Sequence, residues 1–136
     1  MNGTEYQALA MRTNDGKATD RLLDKHEMIS FFKDAKGDKP CERYDLGGIL
    51  NGCLGLAGEA GEFNDIIKKW IFHENHMDEQ HARKEMGDVL WYVAMICQSF
   101  GWNMDDIMQQ NIDKLKARYP DGFDAELSAH RKADDV

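Results

Sequence analysis

The chain has 136 residues, 42% hydrophobic and 31% charged, with a formal net charge of −8. That size suits a single domain over residues 1–136 with one core, and the acidic balance argues against a nucleic-acid partner, whose surface is normally basic. No apolar run reaches the about 18 residues of a membrane span, and MNGTEYQALAMR lacks the basic-then-apolar order of a signal peptide.

The pattern is helical throughout. A first segment, about Glu5 to Arg12, ends in the polar turn TNDGKATD. A second, about Asp20 to Lys36, puts Leu22, Leu23, Ile29, Phe32 and Ala35 roughly on one side before KGDKP breaks it. A third, about Asp45 to Phe72, repeats Leu46, Ile49, Leu50, Cys53, Ala57, Ala60, Ile67 and Ile71 at helical spacing. HENHMDEQH then reads as a loop, and a fourth helix runs from about Glu79 to Phe100 and stops at Gly101. For the fifth, Asn103 is the expected N-cap, with Asp106 three residues on and Trp102 stapled to Ile107; it ends before Pro120.

The core is expected over about residues 5–123, and the polar tail 124–136 is expected to fray. The fold class is therefore all-α, an antiparallel bundle of four to five helices. VLWYVAMICQSF in the fourth helix is apolar almost all round, which calls for burial on more than one side and hence for self-association. Three cysteines, Cys41, Cys53 and Cys97, are odd in number and widely spaced, which reads as free thiols in a reducing cytoplasm.

Chemistry concentrates on two helices. Glu59 and Glu62, three residues apart, share a face at the border of the apolar arc, flanked by Phe63, Ile66 and Trp70. Glu85 and Asp88 repeat that spacing on the next long helix, with Tyr92 beside them. Four carboxylates at the rim of a core repel one another and lose hydration, so a cation is required. The set is all oxygen, which selects a hard ion, Mg²⁺ or in its place Mn²⁺. His73, His76 and His81 have a loop context and irregular spacing that do not suit zinc.

The fifth helix carries Asn111, Lys114 and Arg118 on one stripe, suited to phosphate oxygens and a sugar or base edge. Lys69, two turns after Glu62, is a further phosphate candidate, and Trp70 and Tyr92 are candidates to stack a base. Trp91 faces elsewhere and is expected in the core or at an interface. Carboxylates opposite cations describe a metal–phosphate site in which the metal activates water as nucleophile and the cations stabilise a leaving pyrophosphate.

GLAGEAGEFNDIIKK, KEMGDVLWYVA and NIDKLKARYPDGF, in that order, resemble the MazG-like nucleoside triphosphate pyrophosphohydrolases, as does the opening YQALAMRT. The family signature is ExxE followed at a distance by ExxD. The resemblance implies an all-α, Mg²⁺-dependent enzyme, a homodimer or homotetramer. It would hydrolyse a nucleoside triphosphate, often a deoxynucleotide, to the monophosphate and pyrophosphate. It implies Glu59, Glu62, Glu85 and Asp88 as metal ligands, and Asn111, Lys114 and Arg118, with Lys69 and Tyr119, as substrate residues.

Two other readings are a nucleotide-binding or regulatory helical module with little turnover, and a purely structural oligomerisation module. One anomaly remains in GLAGEAGEF: Gly55, Gly58 and Gly61 each weaken a helix by about 1 kcal/mol. With Gly87 on the fourth helix, they are expected to let the two helices come close enough to share ions.

Overall fold

The computed structural model describes residues 2–35 and 44–130. The described residues are all α, with no strand. In order they form α1 (Gly3–Ala10), a 3-10 turn (Met11–Thr13), α2 (Ala18–Ala35), α3 (Leu46–Phe72), α4 (Glu79–Phe100), α5 (Met104–Arg118) and α6 (Ala125–Ala129). The packing expected of Ile29, Phe32 and Ala35, the break at KGDKP and Cys41 lie outside the described residues. No helix among those described is long and apolar enough to cross a membrane.

Two compact units divide the chain, Met1–Leu46 and Gly47–Val136. In the first, α1 opens on a capping box. The Asn2 side chain accepts from the Glu5 amide and the Glu5 carboxylate accepts from the Asn2 amide, both at 2.9 Å, so two otherwise orphaned N–H groups are satisfied. Before α2, Asp15 pairs with Arg21. Leu22 and Leu23 on α2 are exposed.

The second unit carries the chemistry. As numbers rise along α3 they fall along α4: Asn51 meets Met95, Gly52 meets Ile96 and Gly55 meets Tyr92, so the two helices run antiparallel. A Cβ at Gly52 would stand 2.6 Å from Cγ1 of Ile96, and one at Gly55 would stand 2.1 Å from Cε1 of Tyr92. Close approach thus requires glycine at both positions. At Gly58, Gly61 and Gly87 a Cβ would meet nothing within 4 Å, so the expectation of close approach is corrected there.

Local signals account for the helix ends. Asp78 caps α4 by accepting from the His81 amide at 2.9 Å, and Gly101, at φ 71°, ends it in the left-handed conformation that glycine adopts without strain. Asn103 caps α5 through the Asp105 amide at 2.8 Å. Trp102 stacks on Phe100, with ring centroids 4.1 Å apart. The tail was expected to fray; instead Asp124 accepts from the Glu126 and Leu127 amides and starts α6. Positions 131–136 of that tail lie outside the described residues.

Among the described residues little apolar surface is hidden. Ala82 and Cys97 are the buried apolar side chains among the described residues, while Leu54 is 74% exposed and Phe72 76% exposed. Leu90, Trp91, Ile107, Met108 and Ile112 are exposed as well. Trp91, expected in the core or at an interface, lies on the surface of the chain, edge-on to Tyr92 at 4.9 Å.

Candidate active site

The register that brings Gly55 onto Tyr92 carries Glu59 one turn further, opposite the middle of α4 near Asp88. Glu59, Glu85 and Asp88 each offer an oxygen, and these oxygens lie within 4.8 Å of one another. Their environments differ: Glu85 is buried, Glu59 half-buried and Asp88 exposed. The Glu59 carboxyl is pushed above its ordinary range, first by desolvation, then by the charges of Glu62, Asp88 and Glu85, and by a side-chain hydrogen bond with Glu85. The charged neighbours that raise Glu59 are all carboxylates, Glu62 first.

Glu62 is outside that group of three oxygens, although its charge is the first among those acting on Glu59. It faces an open cleft of about 350 Å³ lined by Gly58, Gly61, Glu62, Asp65, Ile66, Lys69 and His81. The glycines expected to close the helix gap form part of this cleft wall instead, where the lack of side chains leaves room.

Lys69 reaches the same cleft and is tied to Asp65. Lys68 and Lys69 each place their ammonium 2.6 Å from an Asp65 oxygen, and these two partners, Lys68 first, hold the Asp65 carboxyl down at about 2. Trp70, in the next turn, is exposed. Tyr92 packs its ring over Gly55 and so sits beside the carboxylate cluster on α4. On α5, Asn111 and Lys114 are exposed and Arg118 is half-buried. The Arg118 guanidinium lies 5.9 Å from the Tyr119 ring centre, and Tyr119 in turn leans on Phe123 at 5.6 Å.

Two residues at the site escaped the sequence reading. Asp65 lies three and four residues before Lys68 and Lys69, a spacing that signals ion pairs on a helix. His81, expected in the loop, lies in the first turn of α4, where its Nε2 is 2.8 Å from Oε1 of Glu85. The i, i+4 spacing of His81 and Glu85 is the signal that would have found it.

Residues 50–123, more than half of the chain, match the family model of the MazG nucleotide pyrophosphohydrolase domain. The chain belongs to this family. Among curated proteins it is similar to the Gene 37 protein of Mycobacterium phage L5, with 35% identity over 69 residues, 48% of this chain and 60% of the phage protein. The chain thus spans about 60% of the length of the curated relative it matches. No solved structure matches.

Proposed function

We propose that this chain is a nucleoside triphosphate pyrophosphohydrolase that cleaves a (deoxy)nucleoside triphosphate, with a deoxynucleotide preferred, to the monophosphate and pyrophosphate, using Mg²⁺. The observation that carries the reading is the convergence of Glu59, Glu85 and Asp88 from two antiparallel helices of a MazG domain.

The residues fit a divalent cation. Three carboxylate oxygens stand close together, and Glu59 is driven toward its protonated form by desolvation and by its acidic neighbours. A cation relieves both effects, and an all-oxygen donor set favours Mg²⁺, with Mn²⁺ as substitute. Glu59, Glu85 and Asp88 would hold it, with Glu62 completing the set from the cleft side. Bound there, the ion supplies Lewis acidity toward phosphate oxygens and activates water.

The other residues have roles around that centre. Lys69, oriented by Asp65, presents its charge to phosphate oxygens in the cleft. Asn111, Lys114 and Arg118 bind the phosphates and sugar from α5, and Tyr119 steadies Arg118. Tyr92 and Trp70 supply aromatic surface for the base.

All 136 residues act as one domain, self-associated as a homodimer or homotetramer. The exposure of Leu54, Leu90, Trp91 and Phe72 in the single chain supports association, since burying them against a second copy removes that apolar surface from water. The net charge of −8 supports a small-molecule substrate rather than nucleic acid, and a cytoplasmic, membrane-free setting agrees with the free thiols.

A nucleotide panel with Mg²⁺ and product identification tests the reaction. Monophosphate plus pyrophosphate is expected. Release of orthophosphate contradicts it, and tight Mg-nucleotide binding without turnover would favour a regulatory module.

A further inference from the structure

Glu85 is set apart from its neighbours by burial. It is 7% exposed, deeper than Glu59 or Asp88. A carboxylate taken out of water needs a hydrogen-bond donor in place of the lost hydration. His81 provides one: its Nε2 lies 2.8 Å from Oε1 of Glu85, one turn back on the same helix. The ring has a fixed base, because the His81 amide is held by the Asp78 cap at 2.9 Å. The imidazole also walls the cleft beside Gly58, Gly61 and Glu62. It does not belong to the group of oxygens within 4.8 Å of one another, which it meets through Glu85.

We propose that His81 is a positioning residue: its Nε2–H holds Glu85 in the rotamer that aims its carboxylate at Glu59 and Asp88, so the oxygen set is formed before a divalent cation arrives. This inference rests on the reading of the carboxylate cluster as a metal site. A glutamate has three rotatable side-chain bonds, and freezing them during metal capture costs entropy. An imidazole that freezes them in advance removes that cost, as donors to ligating carboxylates do in metal sites generally.

His81 is itself on the surface, its side chain 55% exposed, so changes there leave the packing of α4 intact. His81→Ala and His81→Phe both lack the donor, one smaller and one of similar bulk. His81→Gln keeps an N–H on a side chain of similar reach.

The test is Mn²⁺ affinity, measured calorimetrically on metal-free, full-length wild type, these three variants and Glu85→Gln, with far-UV circular dichroism to compare helicity. Both His81→Ala and His81→Phe should weaken Mn²⁺ binding by about 10- to 100-fold. His81→Gln should recover most of that loss, and Glu85→Gln should lose more than any His81 variant. In turnover assays the Mg²⁺ concentration for half-maximal rate should rise by a similar factor, with kcat at saturating Mg²⁺ largely retained.

Wild-type Mn²⁺ affinity in His81→Ala or His81→Phe, with Glu85→Gln defective, overturns the role of His81 and leaves the metal site standing. A His81→Gln variant no better than His81→Phe overturns it too, because the donor would not be what matters. Wild-type affinity in Glu85→Gln removes the metal-site reading and this inference with it.

Discussion

At Gly52 and Gly55, α3 comes so near α4 that an added methyl group would overlap Ile96 or Tyr92; at Gly58 and Gly61, one and two turns further along, the same helix borders an open cleft. All four glycines carry the same propensity cost. At the first pair, close packing against α4 offsets it. At the second pair no described residue packs, and the missing side chains create volume. Glu59 sits where one regime gives way to the other, grouped with Glu85 and Asp88 and followed one turn on by the Glu62 cleft. Composition therefore says that a glycine is permissive, and only the opposing surface says what is permitted.

The largest expected effect is at the seam. Glu59→Ala or Glu85→Ala should lower turnover by about 10³-fold or more, since Lewis-acid stabilisation is worth several kcal/mol and each 1.36 kcal/mol is tenfold. Helicity by circular dichroism should be unchanged, and retained turnover in both variants would remove the carboxylates from the mechanism.

Next comes the packed side. Gly55→Ala drives a Cβ into the Tyr92 ring, and overpacking of this kind costs about 1–3 kcal/mol. Urea denaturation should show that loss in the wild-type background and little of it in Tyr92→Ala, where the ring is gone. Equal losses in both backgrounds would mean that the ring is not what excludes a side chain.

The open side should respond with the opposite sign. Gly58→Ala meets free space and gains helix propensity, so stability should rise by up to about 1 kcal/mol. Gly58→Leu should also leave the fold stable, yet it would fill the cleft and raise KM. A Gly58→Ala variant as destabilised as Gly55→Ala would erase the distinction between the two pairs.

The smallest effects are in acid. Lys68 and Lys69 hold Asp65 at about 2, below its ordinary 3.8. A depressed carboxyl stabilises the fold above the unfolded value, and that contribution fades as pH falls from 3.8 through about 2. Glu59 is raised, so its linkage runs the other way: its contribution is fully present below 4.5 and disappears as pH rises through the folded value. In metal-free protein, Asp65→Asn should flatten the low-pH loss and Glu59→Gln should remove the opposing gain, each visible as a modest shift in denaturation midpoint across a pH series.

Much of the helical frame was legible because its ends carry local signals. Asn103 before α5, Pro120 after it and Gly101 after α4 act on their own backbone neighbours, so spacing alone locates them. Asp124 does the same for α6, but the polar composition of the tail obscured that cap. The convergence of Glu59, Glu85 and Asp88 was also legible, because three-residue spacing at the border of an apolar arc restricts which way a helix can face.

The separation of Glu62 from that group, the double tie of Asp65 and the contact of His81 with Glu85 were not read. Residues three apart on a helix differ by about 60° in direction, enough to send one toward a neighbouring helix and the other toward solvent. Periodicity ranks faces; it does not report the distance to what lies opposite.

The raised carboxyl of Glu59 has a consequence for how cation capture must be measured. Desolvation first, and then its acidic neighbours, favour a proton on Glu59, and a divalent ion displaces whatever share of that proton is bound at the working pH. The observed heat then includes the ionisation enthalpy of whatever buffer accepts the proton, and it should differ between acetate and MES at one mildly acidic pH. Plotted against buffer ionisation enthalpy, those heats fall on a line whose slope is the number of protons exchanged, and Glu59→Gln should flatten that slope.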